Sequence, residues 1–405
     1  MRIAQRAQRV EPFYVMELAK AASAMAAAAQ PGDRPMLYLN IGEPDFTAPP
    51  QVQQAAERAI RDGRSQYTPA TGLPALREAI SGWYATRFGL DIDPARIVVT
   101  AGASAALQLA CLALIEAGDE VLMPDPSYPC NRQFVQAAEG TAVLLPAGPA
   151  ERFQLSAAQV QAAWGPATRG VLLASPSNPT GTSIARDELE RIARLVRERG
   201  GVTLVDEIYL GLSFDDAYGH SALGLPDGLG DEVISINSFS KYFNMTGWRL
   251  GWLVLPPALV PAVERLAQNL FICASTIAQH AALACFEPDT LAEYERRRAE
   301  FKARRDYFIP ELNRLGITVP VMPDGAFYAW ADVSGLCARW GIPPQSSPDA
   351  GGSWALAFEL MQRCQLATTP GRDFGVADPG RYLRFSTANA MTHLREAVAR
   401  LEQAL

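Results

Sequence analysis

Lys241 is one of only three lysines in the chain, against 33 arginines. It lies in Asn237-Ser238-Phe239-Ser240-Lys241, directly after the apolar run 233–236, and Arg249 follows in Gly247-Trp248-Arg249-Leu250-Gly251. Lysine is strongly hydrated and rarely buried without a task. A lysine just past a core strand, flanked by hydroxyls and followed by an arginine, is placed to act as a Schiff-base amine beside an anion site.

Three other segments carry candidate chemistry. The run 97–100 leads straight into Ala101-Gly102-Ala103-Ser104, where small residues open a helix whose free N–H groups and dipole suit a phosphate. A plain tight strand–helix turn explains the same residues. Neither the P-loop pattern nor the dinucleotide G-x-G-x-x-G is present. Ser175-Pro176-Ser177-Asn178-Pro179-Thr180-Gly181 is a rigid turn that sets an amide at a strand end, where α/β sheets bind ligands. Val205-Asp206-Glu207-Ile208-Tyr209 places a carboxylate at the tip of a buried run, either as a cap or as the partner of a buried cation. Each segment has an ordinary reading, but all five features are expected in sequence at C-terminal strand edges. Ser238 to Lys241 also fits the S-x-x-K of an acyl-enzyme, but the K-T-G which that chemistry needs is missing downstream.

The elements that must position these residues are legible in the hydrophobic pattern. Short apolar runs at 97–100, 120–123, 142–145, 171–174, 202–205, 233–236 and 251–254 are nearly continuous, as strands buried on both faces are. Helical patterns at 103–117 and 187–199 lie between them. This predicts an α/β fold whose large domain, residues 46–285, holds a mostly parallel sheet flanked by helices. A smaller α+β domain from residues 1–45 and 286–405 is expected to carry a long charged helix over 291–312, a Pro/Gly/Ser-rich loop over 341–352, a helix near 354–362, a strand over 382–386 and a terminal helix.

The 405 residues exceed one small core, and a net charge of -7 argues against a nucleic-acid surface. The six cysteines include no C-x-x-C pair and are expected to be reduced thiols. Three scattered histidines make a histidine-based metal site unexpected. The alanine-rich stretch 18–29 reads as an N-terminal helix rather than a signal peptide, because Glu17 and Lys20 interrupt it. No apolar run is long enough to span a membrane, and a cytoplasmic location is expected.

Taken together, Asn40-Ile41-Gly42-Glu43-Pro44-Asp45-Phe46, Tyr67-Thr68-Pro69-Ala70-Thr71-Gly72, the Asn178 turn, Asp206 to Tyr209, Ser238 to Lys241, Arg249 and Tyr382-Leu383-Arg384-Phe385-Ser386 resemble the class I/II aminotransferases, pyridoxal-phosphate enzymes of fold type I. The resemblance covers essentially the whole chain. It implies that Lys241 forms the Schiff base with the cofactor aldehyde and then moves the substrate proton, and that Asp206 faces the pyridine nitrogen. It implies that Tyr209 and Asn178 hold the ring oxygen, with Tyr128 stacked on the ring. Gly102, Ala103, Ser104, Ser238 and Arg249 are implied to hold the phosphate. Arg384 and the Gly42 N–H are implied to bind the substrate's α-carboxylate, with Asn178 beside them. Tyr67 is implied to reach the phosphate of a neighbouring subunit, which makes a homodimer with shared sites.

The substrates implied are small amino acids and 2-oxo acids such as 2-oxoglutarate. Aspartate-specific relatives carry a lysine where Ser104 stands, or an arginine within the segment aligned with 269–279, and this chain has neither. Neutral or aromatic donors are therefore expected over aspartate. A C–S β-lyase on the same scaffold is the alternative. A sensor protein on this fold is disfavoured, since residues before 40 leave no room for an added DNA-binding domain.

Overall fold

The computed structural model describes residues 1–11, 14–347 and 350–405. In chain order its strands are β1 (Leu37–Tyr38), β2 (Ile97–Thr100), β3 (Glu120–Asp125), β4 (Thr141–Pro146), β5 (Thr168–Ala174), β6 (Val202–Asp206), β7 (Ile234–Ser238), β8 (Gly251–Val254), β9 (Tyr328–Asp332), β10 (Leu366–Ala367), β11 (Thr369–Pro370) and β12 (Tyr382–Ser386). A seven-stranded sheet has the order β2-β8-β7-β6-β5-β3-β4. Its pairs are parallel except around β8, which runs against both β2 and β7.

The apolar runs become strands because helices cover both faces of this sheet. β2, β6, β7 and β8 are buried at every position. β4 departs from the expectation of full burial: as the edge strand it is half-buried inside and exposed at both ends. Helices Gly102–Leu114 and Arg186–Glu198 fall near the expected spans.

The direction of β8 corrects one expectation. Arg249 does not follow a strand's C-terminal end; it precedes the N-terminal end of an antiparallel strand. That brings it to the same sheet edge as the C-termini of β2, β5, β6 and β7.

A three-stranded antiparallel sheet, β11-β12-β9, forms the core of the C-terminal region. Alternation along β9 sends Tyr328 into the large core, and Ala329 and Ala331 into a second core with Leu18, Leu37, Leu360 and Leu394. The charged helix runs from Pro288 to Arg314 and joins both cores, with Tyr294 and Phe301 in one and Phe308, Ile309 and Leu312 in the other. Helices Val15–Ala28, Gly352–Cys364 and Met391–Ala404 complete this region. Residues 348 and 349 of the expected loop lie outside the described residues.

Candidate active site

One cavity of about 530 Å³ opens where the sheet edge meets the C-terminal region and the N-terminal helix. Gly42, Ala103, Ser104, Tyr128, Asn178, Asp206, Tyr209, Ser238, Lys241, Arg249 and Arg384 all line it. Gly102 lies behind the wall, against Arg249. Tyr67 is not brought to this cavity; it stands 80% exposed on the surface.

The lysine amine is enclosed. Lys241 Nζ donates to the Gly42 carbonyl at 2.5 Å and lies 5.8 Å from the Tyr209 ring centre and 5.9 Å from that of Phe327. Burial, then repulsion from Arg384 and Arg249, pulls its pKa down to about 8, against the opposing pull of Glu43 and Asp206. The amine therefore loses its proton far more readily than a surface lysine.

Asp206 ends β6, in register with Ala174 of β5 and Ile236 of β7. Its Oδ1 accepts from the Ile208 N–H at 3.1 Å, so it does cap the following turn. Burial, reinforced by the neighbouring Glu207, pushes its pKa up to about 7. A carboxylate this poorly solvated gains strongly from a cationic partner.

The start of helix Gly102–Leu114 is built to receive an anion. Its N-cap residue, Ala101, supplies no side-chain cap, which leaves the first-turn N–H groups without that partner. Gly102 has φ +81°, and a Cβ there would lie 2.5 Å from Arg249 Nη2. Arg249 is itself held at φ 53°, an uncommon conformation for a residue with a side chain and one that clusters at functional sites. Ser238 Oγ accepts from the Ser240 N–H at 3.0 Å.

Arg384 lies in the middle of β12 and is 4% exposed. Its Nη1 donates to Asn178 Oδ1 and its Nη2 to the Asn40 carbonyl, both at 2.8 Å. Its Nε is buried and unpartnered, and among the described residues no carboxylate forms an ion pair with it. A buried guanidinium whose hydrogen bonds go to neutral oxygens, with the Asp373 carboxylate acting on it only from further away, is placed to receive a substrate carboxylate. Asn178 reaches it because Gly181, at φ +67°, lets its turn press against Pro323 and Gly325, where a Cβ would lie 2.6 Å from Pro323 Cβ.

Other lining residues escaped the sequence reading. Tyr328 lies between Tyr209 and Arg384, Asn40 holds Arg384 through its carbonyl, and Glu43 accepts from Thr246 Oγ1. Val15, Met16 and Ala19 of the N-terminal helix form an apolar wall. Tyr328 sits in the aromatic run 325–330, which carries no motif that singles it out.

The protein-family model described as aminotransferase class I and II matches residues 34–401. The chain belongs to the class I and II aminotransferases. It is 37% identical over 400 residues to the valine–pyruvate aminotransferase of Mycobacterium tuberculosis, covering 99% of this chain and 97% of that one. It is 35% identical to an aspartate aminotransferase of Streptomyces avermitilis, covering 95% and 93%. A crystal structure of an aminotransferase from Mycobacterium tuberculosis superposes with a TM-score of 0.91 at 37% identity, covering 100% and 99% of the two chains. The Thermus thermophilus aspartate aminotransferase with maleate superposes at 0.88 with 30% identity and full coverage of both.

This aminotransferase is thus an enzyme that acts on amino acids and oxo acids. The C–S β-lyase alternative gains no support from these relatives. The family depends on pyridoxal phosphate, and the residues present fit that group: an enclosed amine, a buried carboxylate, and an uncapped helix start pressed against Arg249. Among the described residues no helix is long and apolar enough to cross a membrane.

Proposed function

We propose that this aminotransferase binds pyridoxal 5′-phosphate at Lys241 and moves the amino group of a neutral or aromatic L-amino acid to a 2-oxo acid. The observation that carries the reading is the pairing of an enclosed lysine, its pKa lowered to about 8, with a buried Arg384 whose hydrogen bonds go to the Asn178 and Asn40 oxygens.

When bound, the cofactor supplies an aldehyde that condenses with amines and a ring that accepts the electron pair left on the substrate's Cα. Gly102, Ala103, Ser104, Ser238 and Arg249 would hold its phosphate, Tyr128 its ring face, Asn178 and Tyr209 its ring oxygen, and Asp206 the proton on its ring nitrogen. Arg384 binds the substrate carboxylate, with the Gly42 backbone alongside, and so fixes the Cα–H bond in direction. With the cofactor bound, Lys241 would take the Cα proton as a neutral base and give it back on the far side of the amino nitrogen, and water would supply the oxygen of the oxo acid. The oxo product leaves, and a 2-oxo acid enters on the same Arg384 for the reverse sequence, which gives ping-pong kinetics.

The donor preference rests on the cavity wall. Its cations are Lys241, Arg249 and Arg384, Ser104 is neutral, and Val15, Met16 and Ala19 face it. Among the described residues lining it in one subunit, a second substrate carboxylate finds no fourth cation, a costly omission in a buried pocket. The valine–pyruvate relative accords with this preference, while the aspartate relatives define the competing reading.

The active unit in this reading is a homodimer in which Tyr67 completes the partner's phosphate site. Its exposure, together with that of Leu270 and Ile272, supports that placement. Residues 46–285 act as the cofactor domain, and 1–45 with 286–405 as the substrate domain. Six unpaired cysteines accord with a cytoplasmic location.

Steady-state assays of valine, phenylalanine and aspartate with pyruvate or 2-oxoglutarate test the reading. It expects kcat/KM for a neutral donor to exceed that for aspartate by about tenfold or more. A reversed ranking overturns the donor preference, and ammonia with pyruvate released from cystathionine, without an acceptor, overturns the reaction class.

A further inference from the structure

We infer that Tyr328 is a positioning residue of the site, its ring seating the Arg384 guanidinium and its hydroxyl directing the Tyr209 phenol into the cavity. The inference rests on the reading of the site given above.

Tyr328 is 2% exposed and opens β9, where it pairs with Ser386 of β12, two residues along from Arg384. Residues two apart share a face of a strand, so Arg384 is its diagonal neighbour across the ladder. The guanidinium carbon lies 4.4 Å from the centre of the Tyr328 ring, and Phe374 stands 5.0 Å from the same carbon. The ring thus supports a cation that donates to the side-chain oxygens of Asn178 and Thr369 and to the Asn40 carbonyl, with the Asp373 carboxylate acting on it from further away.

The hydroxyl has a separate task. Tyr328 Oη lies 2.6 Å from Tyr209 Oη, and among the described residues this is its one hydrogen bond. Each phenol has one proton, and either can donate. If Tyr209 donates, only its lone pairs face the cavity. If Tyr328 donates, the Tyr209 proton is free for an acceptor oxygen on a ligand. Burial raises the pKa of both phenols and keeps both protons in place. An anionic oxygen in the cavity therefore draws the Tyr209 proton, and Tyr328 replaces it.

Gly42 closes the arrangement. A Cβ there would lie 2.7 Å from Tyr328 Oη, so the hydroxyl rests on the bare backbone whose carbonyl accepts from Lys241. One side chain therefore touches the phenol on the cofactor side, the guanidinium on the substrate side and the backbone that holds the amine.

Two variants separate the tasks. Tyr328→Phe keeps the ring and removes the hydroxyl; Tyr328→Leu removes both. Affinity for 3-methylbutanoate, a carboxylate that cannot react, is measured by calorimetry on protein with and without cofactor. Kinetics and the visible band are measured on loaded protein. The Phe variant is expected to bind 3-methylbutanoate and donor within about twofold of the parent, while kcat falls about tenfold and the band shifts. The Leu variant is expected to show the same loss and to bind the carboxylate about tenfold more weakly. A Phe variant with parental kcat and band, or equal loss of carboxylate affinity in both variants, overturns the inference. Failure of the underlying reading is distinguishable, because the parent protein itself then fails to convert amino acids.

Discussion

Lys241 follows the end of β7 in the seven-stranded sheet, and Arg384 lies in the middle of β12 in the three-stranded one. Both cations face one cavity, and neither has a carboxylate ion-pair partner among the described residues. Enclosure acts on them differently. The lysine answers desolvation by giving up its proton near pH 8 and becomes a base. The arginine, held by the Asn178 and Asn40 oxygens, presents its fork of N–H donors and becomes a receptor for an anion. The large sheet thus supplies the group that moves a proton, and the small sheet supplies the group that holds the substrate still while it moves.

Substitutions at the two cations break this comparison most directly. Lys241→Ala should lower kcat by about 10⁴-fold or more, the upper range for a positioned proton-transfer group, while the circular dichroism spectrum is preserved. Arg384→Ala should lower kcat/KM by about 100-fold, the order of one or two charge-assisted hydrogen bonds, for every donor and acceptor alike. A loss confined to one substrate would mean that Arg384 reads a side chain instead.

Two smaller effects sharpen the contrast. Gly102→Ala should weaken pyridoxal phosphate binding about tenfold in a fluorescence titration, because the new Cβ pushes into the Arg249 guanidinium. In protein freed of cofactor, acylation of Lys241 followed by mass spectrometry should rise as pH passes through about 8. The sign follows from the lowered pKa: below it the amine is protonated and inert, above it neutral and nucleophilic. The exposed Lys20 and Lys302 provide the reference, and labelling of Lys241 in step with them would contradict an enclosed amine.

Much of this was legible in the sequence, for physical reasons that differ by element. The strands of the large sheet announce themselves because burial on both faces demands continuous hydrophobicity. β2, β8 and β12 fall at the expected residues. β3 and β5 run two or three residues further, since Asp125 and Thr168 join the ladder through backbone groups that hydropathy does not see. The two-residue strands β1, β10 and β11 carry too little pattern to be read.

The direction of β8 also lay beyond reach, so Arg249 was placed at the wrong end of a strand although on the right edge of the sheet. Tyr328 was missed because its importance lies in a cross-strand diagonal to Arg384, and register is a tertiary fact. The N-terminal helix was expected, but its place in the cavity wall depends on packing against a distant part of the chain.

The enclosed Lys241 and the carboxylate receptor Arg384 together are expected to support half of a transamination without any acceptor. The measurement that tests it most directly is a single turnover, in which cofactor-loaded protein is mixed with valine alone and the oxo acid, the ammonia and the visible band are followed together. The expected result is one equivalent of oxo acid per site, no ammonia, and a band that returns when a 2-oxo acid is added. Oxo acid released beyond one equivalent together with ammonia, or a band that never responds to any amino acid, would contradict it.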